Sequence, residues 1–330
     1  MNNYIPKFKS VFKEEFKDFI LYKRSLGYKY SKISCDRYKR LDYYFASIYL
    51  NEKKITQETI DGWYREFRNC KESNKITNGY SVYKNFSEYL ILNNYSDITL
   101  SNEVIKRYNG FIPYIFTKEQ IEKIFKHIKY LIATYPRYKN YYSCYVIISI
   151  LFGCGLRVSE AVHLKHKDID LENKILFIEN SKSNASRVVP ISNSVYLILT
   201  EYISSKSTYS LNEYVFTQLN GKQISEYTPR VFFRKVLKEI DIPLTYENKI
   251  PRLHDIRHTF AVHSLEQMEE KGFDIYTSLS ILSVYLGHQT IKETEKYLRL
   301  TKEMHQKVEE MVHQYTNNIY KEKEIYEKQI

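Results

Sequence analysis

Six side chains whose types and spacing could do chemistry lie in four short motifs between residues 155 and 297. They are Arg157, Lys182, His254, Arg257, His288 and Tyr297. Arginine binds phosphate oxygens in pairs through its planar guanidinium group, and a tyrosine hydroxyl in a strong positive field can act as a nucleophile. Histidine and lysine can move protons to and from such a reaction. Together these residue types suit chemistry on a phosphate ester.

Each motif is weak when it is taken alone. Arg157 follows a small-residue turn and by itself is more readily explained as a surface residue at a helix end. His254 alone is typical of a histidine that caps a helix or packs in a core, and Lys182 is one of many lysines. With 33 tyrosines in 330 residues, a tyrosine at any chosen offset is common. A functional interpretation therefore depends on the order and combination of the motifs.

In that order and combination, the motifs resemble the tyrosine recombinase (phage integrase) family. The family signature has an Arg after a small-residue turn, a Lys in a β-hairpin, a His-x-x-Arg helix, a Gly-His and a Tyr about nine residues later. All six positions hold the expected residue type, and Glu160 matches the acidic residue that often follows the first Arg. A second hairpin Lys is frequent in the family, but Ala185 stands in that place, which favours Lys182. The resemblance covers about residues 115–315 motif by motif and the first part only loosely.

The resemblance implies metal-free DNA strand transfer. Tyr297 would attack the scissile phosphate, form a 3′-phosphotyrosine and release a 5′ hydroxyl, and a 5′ hydroxyl from a partner strand would reverse the attack. Phosphoester bond energy is retained, so neither ATP nor any other cofactor is expected. Four protomers would act on two short double-stranded DNA core sites through a Holliday junction. The sequence leaves open whether the outcome is integration, excision, transposition or dimer resolution, and whether an accessory DNA-bending or directionality protein takes part.

The physical chemistry of the six residues agrees with these implied roles. Arg157 and Arg257 can clamp the two non-bridging oxygens and stay charged at any working pH. His254 lies three residues before Arg257, so the two face one side of a helix, and His254 is the nearest candidate base for the phenol. Lys182, in a cationic pocket, can protonate the leaving 5′ oxygen, and His288 can donate a hydrogen bond to the phosphate.

The sequence predicts no metal site. No carboxylate cluster accompanies the six residues, so a two-metal nuclease would lack ligands. His163 and His166 lie three apart but have no third ligand nearby. His258 and His263, on the helix of His254, are interpreted as residues that pack or that support the site residues.

The elements that must position these side chains are mainly helical. We predict helices near 192–205, 225–240, 252–268 and 274–286 from apolar spacing. A hairpin is predicted from two β-prone runs, Lys174–Asn180 and Arg187–Ile191, which flank the loop that carries Lys182. Residues 117–120 form a capping-box pattern, and the uncharged run 141–156 is interpreted as a buried helix, too short to span a membrane.

The end of the chain is predicted to be helical as well. Thr290 and Glu293 form a second capping-box pattern, which predicts a helix that carries Tyr297. Apolar residues in 301–320 recur on one stripe, which predicts an amphipathic helix that docks on its own chain or on a neighbouring protomer.

The first part of the chain predicts a separate four-helix domain. Two helices are expected in 10–48, and one each in 56–69 and 78–94. We place a SAM-like core-binding domain at 1–108, a linker at 109–116 with Asn-Gly and Pro turn signals, and a mixed α/β catalytic domain with a small hairpin at 117–330. Candidate DNA-phosphate contacts in the first domain, each also explicable as a solvated helix face, are Lys29, Lys32, Arg37, Lys39, Arg40, Arg65 and Arg68.

Composition narrows the class of protein. The chain has 50 basic and 39 acidic residues, a net charge of +11, and the first 110 residues hold 20 of the basic and 13 of the acidic ones. This excess favours a polyanionic partner, nucleic acid before a membrane surface. Four cysteines without CxxC spacing fit a reducing compartment, and the first residues lack the apolar stretch of a signal peptide. We therefore expect a cytoplasmic, mainly α protein.

Three other functions are compatible with parts of this pattern. A type IB topoisomerase-like enzyme uses a similar Arg, Lys, His and Tyr set, but the Gly-His before Tyr297 and the small size favour a recombinase. A DNA-binding accessory protein of the same fold would not need all six residues. An RNA-binding helical module would fit the basic charge and the tyrosine content, but no motif supports it.

Overall fold

The protein folds into two compact units, Met1–Phe111 and Ile112–Ile330. The structure is a computed structural model, and it describes residues 4–28, 30–48, 50–68, 73–100, 112–138, 140–179, 186–206, 210–218, 221–245 and 248–300, with backbone only at 67–68, 73–78 and 299. Residues 101–111 lie outside this description, so a linker at 109–116 stays a prediction. The same holds for a docking helix in the tail.

The described residues of the first unit form four helices, as the apolar spacing predicts. They are α1 (Lys13–Ser25), α2 (Lys32–Ser47), α3 (Gln57–Arg68) and α4 (Ser73–Leu92). Helix α4 begins before residue 78, where the apolar pattern starts, because the mostly polar run 73–78 has a single apolar residue, Ile76, and so shows no apolar periodicity.

Aromatic packing and one buried carboxylate hold the first unit together. The rings of Phe16 and Phe86 stack with their centroids 3.8 Å apart. The fully buried Asp42 accepts hydrogen bonds from the backbone N–H groups of Lys9 (2.7 Å) and Ser10 (2.9 Å). These bonds pin the segment before α1 to α2, and a buried carboxylate needs such partners.

Eight helices lie in the described part of the second unit. They are α5 (Lys118–Thr134), α6 (Asn140–Cys154), α7 (Val158–Val162), α8 (Asn193–Ser204), α9 (Tyr227–Glu239), α10 (Asp255–Glu270), α11 (Ile275–Leu286) and α12 (Lys292–Glu295). The predicted capping box opens α5, since Thr117 Oγ1 accepts from the N–H of Gln120 (3.2 Å) and Gln120 Oε1 accepts from the N–H of Thr117 (3.0 Å). The bounds of α8 to α11 agree with the predicted ranges within a few residues.

Helix α6 forms the centre of the second unit. It is apolar all round, and α5, α7, α8, α9 and α10 pack around it. The prediction of a buried core helix is therefore confirmed. In the part of the chain that the structure describes, no helix combines the length and apolar character needed to cross a bilayer.

A small antiparallel sheet lies beside the helices. Its order is β1 (Ile169–Asp170), β2 (Ile175–Ile178) and β3 (Arg187–Pro190), with Ile178 opposite Arg187. The predicted hairpin is confirmed as β2 and β3, whereas the two residues of β1 are too few for a sequence pattern. Lys182 lies outside the described residues, in the loop between β2 and β3. The fold class, mainly helical with a small sheet, is as predicted.

The prediction of a helix that carries Tyr297 is wrong. Helix α12 ends at Glu295, and Tyr297 lies between it and a 3₁₀ turn at Leu298–Leu300. The capping box does not form, because Ile291 is the N-cap residue and provides no side-chain cap. Burial decides the local structure instead, since Thr294 and Tyr297 are almost completely buried and hold this segment against the unit.

We predict that Gly155→Ala destabilises the protein because the added methyl group would collide with the ring of Phe260. Gly155 follows α6 with φ = +60°, and a Cβ there would lie 2.4 Å from the ring of Phe260. Gly272→Ala is the matched control, because Gly272 also has a positive φ (+81°) but open space around it. Both variants carry backbone strain, and only the first adds overpacking, so Gly155→Ala should lose about 2 kcal/mol more in urea unfolding. Equal losses would contradict a tight contact with Phe260.

Candidate active site

Five of the six predicted catalytic residues line one cavity of the second unit. The cavity has a volume of about 280 Å³ and is lined by Arg157, His254, Arg257, His288, Gln289, Glu293, Lys296 and Tyr297. Residues far apart in the sequence thus meet within a single chain. The sixth predicted residue, Lys182, lies outside the described residues.

Backbone carbonyls orient both arginines of the cavity. The Arg257 guanidinium donates to the carbonyl oxygens of Gly155 (2.7 Å) and Leu286 (2.8 Å), and Arg157 donates to that of Gly287 (3.3 Å). Gly155 and Gly287 both have left-handed backbone conformations that favour glycine. These two glycines therefore allow the tight turns that direct the carbonyl oxygens of Gly155, Leu286 and Gly287 toward the guanidinium groups.

A buried carboxylate, Glu160, supports the same arginines from behind. It accepts hydrogen bonds from Arg157 (backbone N–H 2.9 Å, Nη1 2.8 Å) and from Arg187 (Nη1 3.1 Å, Nη2 2.8 Å). Nη1 of Arg257 lies 3.8 Å from it. Burial opposes ionisation of Glu160, but the hydrogen bonds and charges of Arg187 and Arg157 outweigh it and lower the pKa of the carboxyl to about 2. Glu160 is thus an anion that offsets part of the repulsion among the guanidinium groups.

Arg257 stays charged in spite of its burial. Burial and the neighbouring charge of Arg157 lower the pKa of the Arg257 guanidinium to about 10. This value is well above neutral pH, so the cavity holds two fixed positive charges at its base.

The side chain of Tyr297 reaches into the cavity between two histidine rings. Its hydroxyl lies 3.0 Å from Nδ1 of His258, and its ring lies nearly parallel to that of His288, with centroids 6.2 Å apart. Burial raises the pKa of Tyr297 to about 12, although Arg257 and Arg157 act in the opposite direction. The phenol is therefore protonated in the absence of a substrate.

His258, which was expected to pack or to support the site residues, bonds to the hydroxyl of Tyr297. His254 precedes α10 and lines the cavity, while His258 lies one helical turn further along, with the two rings 4.8 Å apart. The sequence analysis named His254 as the nearest candidate base. The ring nitrogen at hydrogen-bond distance from the Tyr297 hydroxyl belongs instead to His258. The i, i+4 spacing of His254 and His258 is the signal that places both on one helix face.

His288 is oriented on both ring nitrogens. Nε2 lies 3.3 Å from Nη2 of Arg257, and Nδ1 lies 2.7 Å from Oγ1 of Thr294. Because a guanidinium group can only donate, Nε2 accepts and Nδ1 carries the proton in this state. Burial and the neighbouring cations, Arg257 first, lower the pKa of His288 to about 3. In this state Nε2 is therefore not the donor that the sequence analysis assigned to a phosphate contact.

Sequence reasoning missed two cations of the site. Arg187 opens β3 directly after the loop of Lys182, and its position beside Glu160 depends on the hairpin register. Lys296 lines the cavity, and its ammonium lies 5.1 Å from the ring centroid of Tyr297. Burial lowers the pKa of Lys296. Lys296 directly precedes Tyr297 in the sequence, and this adjacency was the signal that could have predicted its place in the site.

A larger basic groove adjoins the cavity. It has a volume of about 1050 Å³ and shares Arg157 and His254 with the cavity. Its other basic side chains come from α9 and the loop before α10: Arg230, Arg234, Lys249 and Arg252. Glu226 lines the groove as well and pairs with Arg230 (2.5 Å), and Arg252 pairs with Asp255 (3.0 Å). The cavity and the groove therefore form a continuous surface in which basic side chains predominate.

The candidate DNA contacts of the first unit lie on α2 and α3. Lys32, Arg37, Arg40 and Arg65 are exposed, and Lys39 is partly buried. Arg40 forms an ion pair with Glu66 (3.4 Å), which neutralises part of its charge. Lys29 and the side chain of Arg68 lie outside the described residues, and a DNA-binding role for the seven stays a prediction.

The other histidines and cysteines of interest occupy ordinary positions. His163 bonds through Nδ1 to the carbonyl oxygen of Ser159 (2.7 Å), and His166 is buried. Cys144 and Cys154 are buried thiols, and burial raises the pKa of each to about 12. Among the described residues, no three His, Cys, Asp or Glu side chains cluster as metal ligands.

We predict a pH-dependent cost for Glu160→Gln. The carboxyl has a folded-state pKa of about 2, below its unfolded value, so it stabilises the fold above the unfolded pKa and loses that contribution as pH falls. At pH 7, urea unfolding should show a loss of about 3 kcal/mol, and at pH 3 roughly half of that difference. Glu14→Gln, in an exposed pair with Lys17, is the control and should cost under about 0.5 kcal/mol at both pH values. A difference that does not change with pH would contradict the role of ionised Glu160.

Comparison with known proteins identifies relatives that match between about half and most of the chain. A 29% identical stretch of 307 residues links it to the tyrosine recombinase XerD of Rickettsia bellii, and covers 88% of this chain and 94% of the relative. A putative integrase/recombinase of Sinorhizobium fredii is 30% identical over 191 residues, which is 56% of this chain and 61% of that protein. With that protein and three archaeal recombinases, the matched stretch spans between 44% and 64% of the relative's length.

Solved structures share the fold at low sequence identity. The Tn1549 transposon integrase in complex with a circular intermediate DNA has a TM-score of 0.60 at 18% identity, over 86% of this chain and 94% of that one. The XerH site-specific recombinase bound to a palindromic difH substrate has a TM-score of 0.61 at 18% identity, over 80% and 76%. The model of the phage integrase family matches residues 115–304, which is more than half of the chain and includes the whole cavity. The protein therefore belongs to the phage integrase family.

Proposed function

We propose that the protein is a site-specific DNA recombinase that cuts and rejoins DNA through Tyr297. The observation that carries this proposal is the cavity in which Tyr297, two oriented arginines and two histidines meet within one chain. Membership of the phage integrase family supports it. The Tn1549 integrase and XerH structures were solved with DNA, and we extend a DNA substrate to this chain.

In this proposal Arg157 and Arg257 bind the non-bridging oxygens of the scissile phosphate. Both guanidinium groups are already fixed by carbonyls and by Glu160, so little reorganisation is needed when negative charge grows in the transition state. Removal of one such donor costs an enzyme on the order of 10²–10³ in rate. His254 lies on the wall of the same cavity and contacts the phosphate, while His288 accepts from Arg257 and so helps to hold that guanidinium group beside it.

The strand transfer conserves the phosphoester bond. The hydroxyl oxygen of Tyr297 bonds to phosphorus, and the bond from phosphorus to the 5′ oxygen breaks and leaves a 3′-phosphotyrosine. Lys182, on the loop between β2 and β3, gives a proton to the leaving 5′ oxygen. A 5′ hydroxyl of the partner strand then attacks the phosphotyrosine and restores Tyr297, so no cofactor is consumed.

The basic groove gives the DNA a path away from the scissile phosphate. Arg157 and His254 belong to both the cavity and the groove, and the groove continues with arginines of α9. Each phosphate neutralised by a basic side chain makes binding more dependent on salt. The seven basic residues on the first unit would contact the same duplex, with core-binding and catalytic domains at 1–108 and 117–330.

The assembly follows from the reaction. Exchange between two DNA sites needs four nucleophiles, so we propose a tetramer on two core sites and a Holliday-junction intermediate in the cytoplasm. The tail after Tyr297 would dock on a neighbouring protomer.

A nicked suicide substrate tests the function. Duplexes from DNA flanking the gene are screened for binding, nicked near the centre of the bound site, incubated with protein and EDTA, and analysed on a denaturing gel. We expect a covalent protein–DNA band with the wild type and none with Tyr297→Phe, because the phenol oxygen forms the bond.

Tyr276→Phe is the matched control, since Tyr276 is exposed on α11, and its band should equal that of the wild type. A wild-type protein that binds the site tightly but forms no covalent band would contradict the proposed function. A band that persists in Tyr297→Phe would contradict the role of this residue.

A further inference from the structure

The roles proposed for Arg157, Arg257 and Lys182 do not include a group that accepts the phenolic proton of Tyr297. The hydroxyl must lose this proton when it attacks phosphorus, and its pKa of about 12 means that solution hydroxide removes it rarely at neutral pH. The described structure places one ring nitrogen at hydrogen-bond distance, Nδ1 of His258 at 3.0 Å. Both side chains are almost completely buried, so water has little access to this contact.

We propose that His258 accepts the phenolic proton of Tyr297 during the attack. This inference rests on the proposed function and assigns a base to its first step. As the bond from the Tyr297 oxygen to phosphorus forms and the bond to the 5′ oxygen breaks, the phenolic proton moves to Nδ1 and His258 becomes an imidazolium ion. The reverse step returns the proton from Nδ1 to the tyrosine oxygen.

His258 begins this step as a neutral ring. Burial lowers its pKa to about 2, and the groups around it act in the same direction: His254, Lys296, Arg252 and Arg257. Tyr297 is the titratable group that bonds to this ring, at Nδ1. A neutral ring has one acceptor nitrogen, and a phenol is the better donor of the pair, so Nδ1 accepts and Nε2 carries the hydrogen.

Because of the surrounding cations, the ability of His258 to accept a proton depends on whether a substrate phosphate is bound. In the empty cavity, Lys296 and the arginines oppose a further positive charge on His258. A phosphodiester bound between Arg157 and Arg257 brings a negative charge that grows in the transition state, and this charge offsets the same cations. His258 can therefore take the proton when DNA fills the cavity, and Tyr297 stays protonated when it does not.

His254 is less well placed for this role. It lines both the cavity and the basic groove, where the DNA backbone would lie. His258 lies one turn further along α10, on the side of the phenol oxygen. The two histidines thus divide the work, with His254 facing the phosphate and His258 facing the nucleophile.

The test compares His258→Asn with the wild type in single-turnover cleavage of the suicide substrate between pH 6 and 10. Asparagine keeps an acceptor near the position of Nδ1 but cannot take up the proton. We expect unchanged DNA affinity and cleavage at least about 100-fold slower at pH 7. The rate of the variant should rise about tenfold per pH unit as hydroxide replaces the base, whereas the wild type should depend less on pH. His163→Asn, at an exposed histidine, is the control and should match the wild type.

A second variant gives an independent measurement. His258→Ala leaves space at the phenol, and added imidazole should restore its cleavage rate in proportion to the imidazole concentration. Thermal melting and DNA affinity establish that both variants fold.

The inference is overturned if His258→Asn cleaves within about threefold of the wild type with the same pH profile, or if imidazole does not raise the rate of folded His258→Ala. In those cases wild-type cleavage would still support the proposed function. Absence of wild-type cleavage on bound DNA would instead remove the proposed function, and the inference with it.

Discussion

The ion pairs of the buried carboxylate Glu160 are the interaction on which the site depends. Arg157 and Arg187 bond to it, and Arg257 lies 3.8 Å away, so one anion stabilises three guanidinium groups that would otherwise repel one another. It also ties together α7 and β3, since Arg187 opens that strand. The described start of β3 is thereby held against α7. Removal of the anion would leave buried positive charge unpaired, which is strongly destabilising.

The positions of the cavity's arginines suit the binding of an anion from outside the protein. Its arginines are held by carbonyls and by Glu160 before any substrate binds, so their charge is available at the position where phosphate charge would develop. The same burial that fixes these groups raises the pKa of Tyr297 and keeps its histidines neutral. In the proposed reaction, a bound phosphate would change the pKa values of Tyr297 and His258 together, and this would link activation of Tyr297 to the presence of DNA.

Local pattern was enough for most of the fold, whereas the main site residues were predicted from the order and combination of four motifs and their resemblance to a family. Helical spacing, the Thr117 capping box and the hairpin runs depend on neighbours in sequence, and the structure has them. Tyr297 and its two histidine neighbours do not follow local pattern. Their arrangement depends on how α10, α11 and the segment after α12 pack, and the burial of Thr294 and Tyr297 overrode a capping-box signal. The role of Arg187 likewise depends on hairpin register, a tertiary property that spacing along the chain does not report.

The most direct measurement identifies the residue that is joined to DNA. The covalent complex is digested with a nuclease and with a protease that cuts after glutamate, which releases residues 296–303 as one peptide. Mass spectrometry should find the mass of a 3′-linked nucleotide on Tyr297 within that peptide, because its hydroxyl lies in the arginine-lined cavity. A nucleotide attached to another residue, or linked through its 5′ phosphate, would contradict the assignment of Tyr297 as the nucleophile.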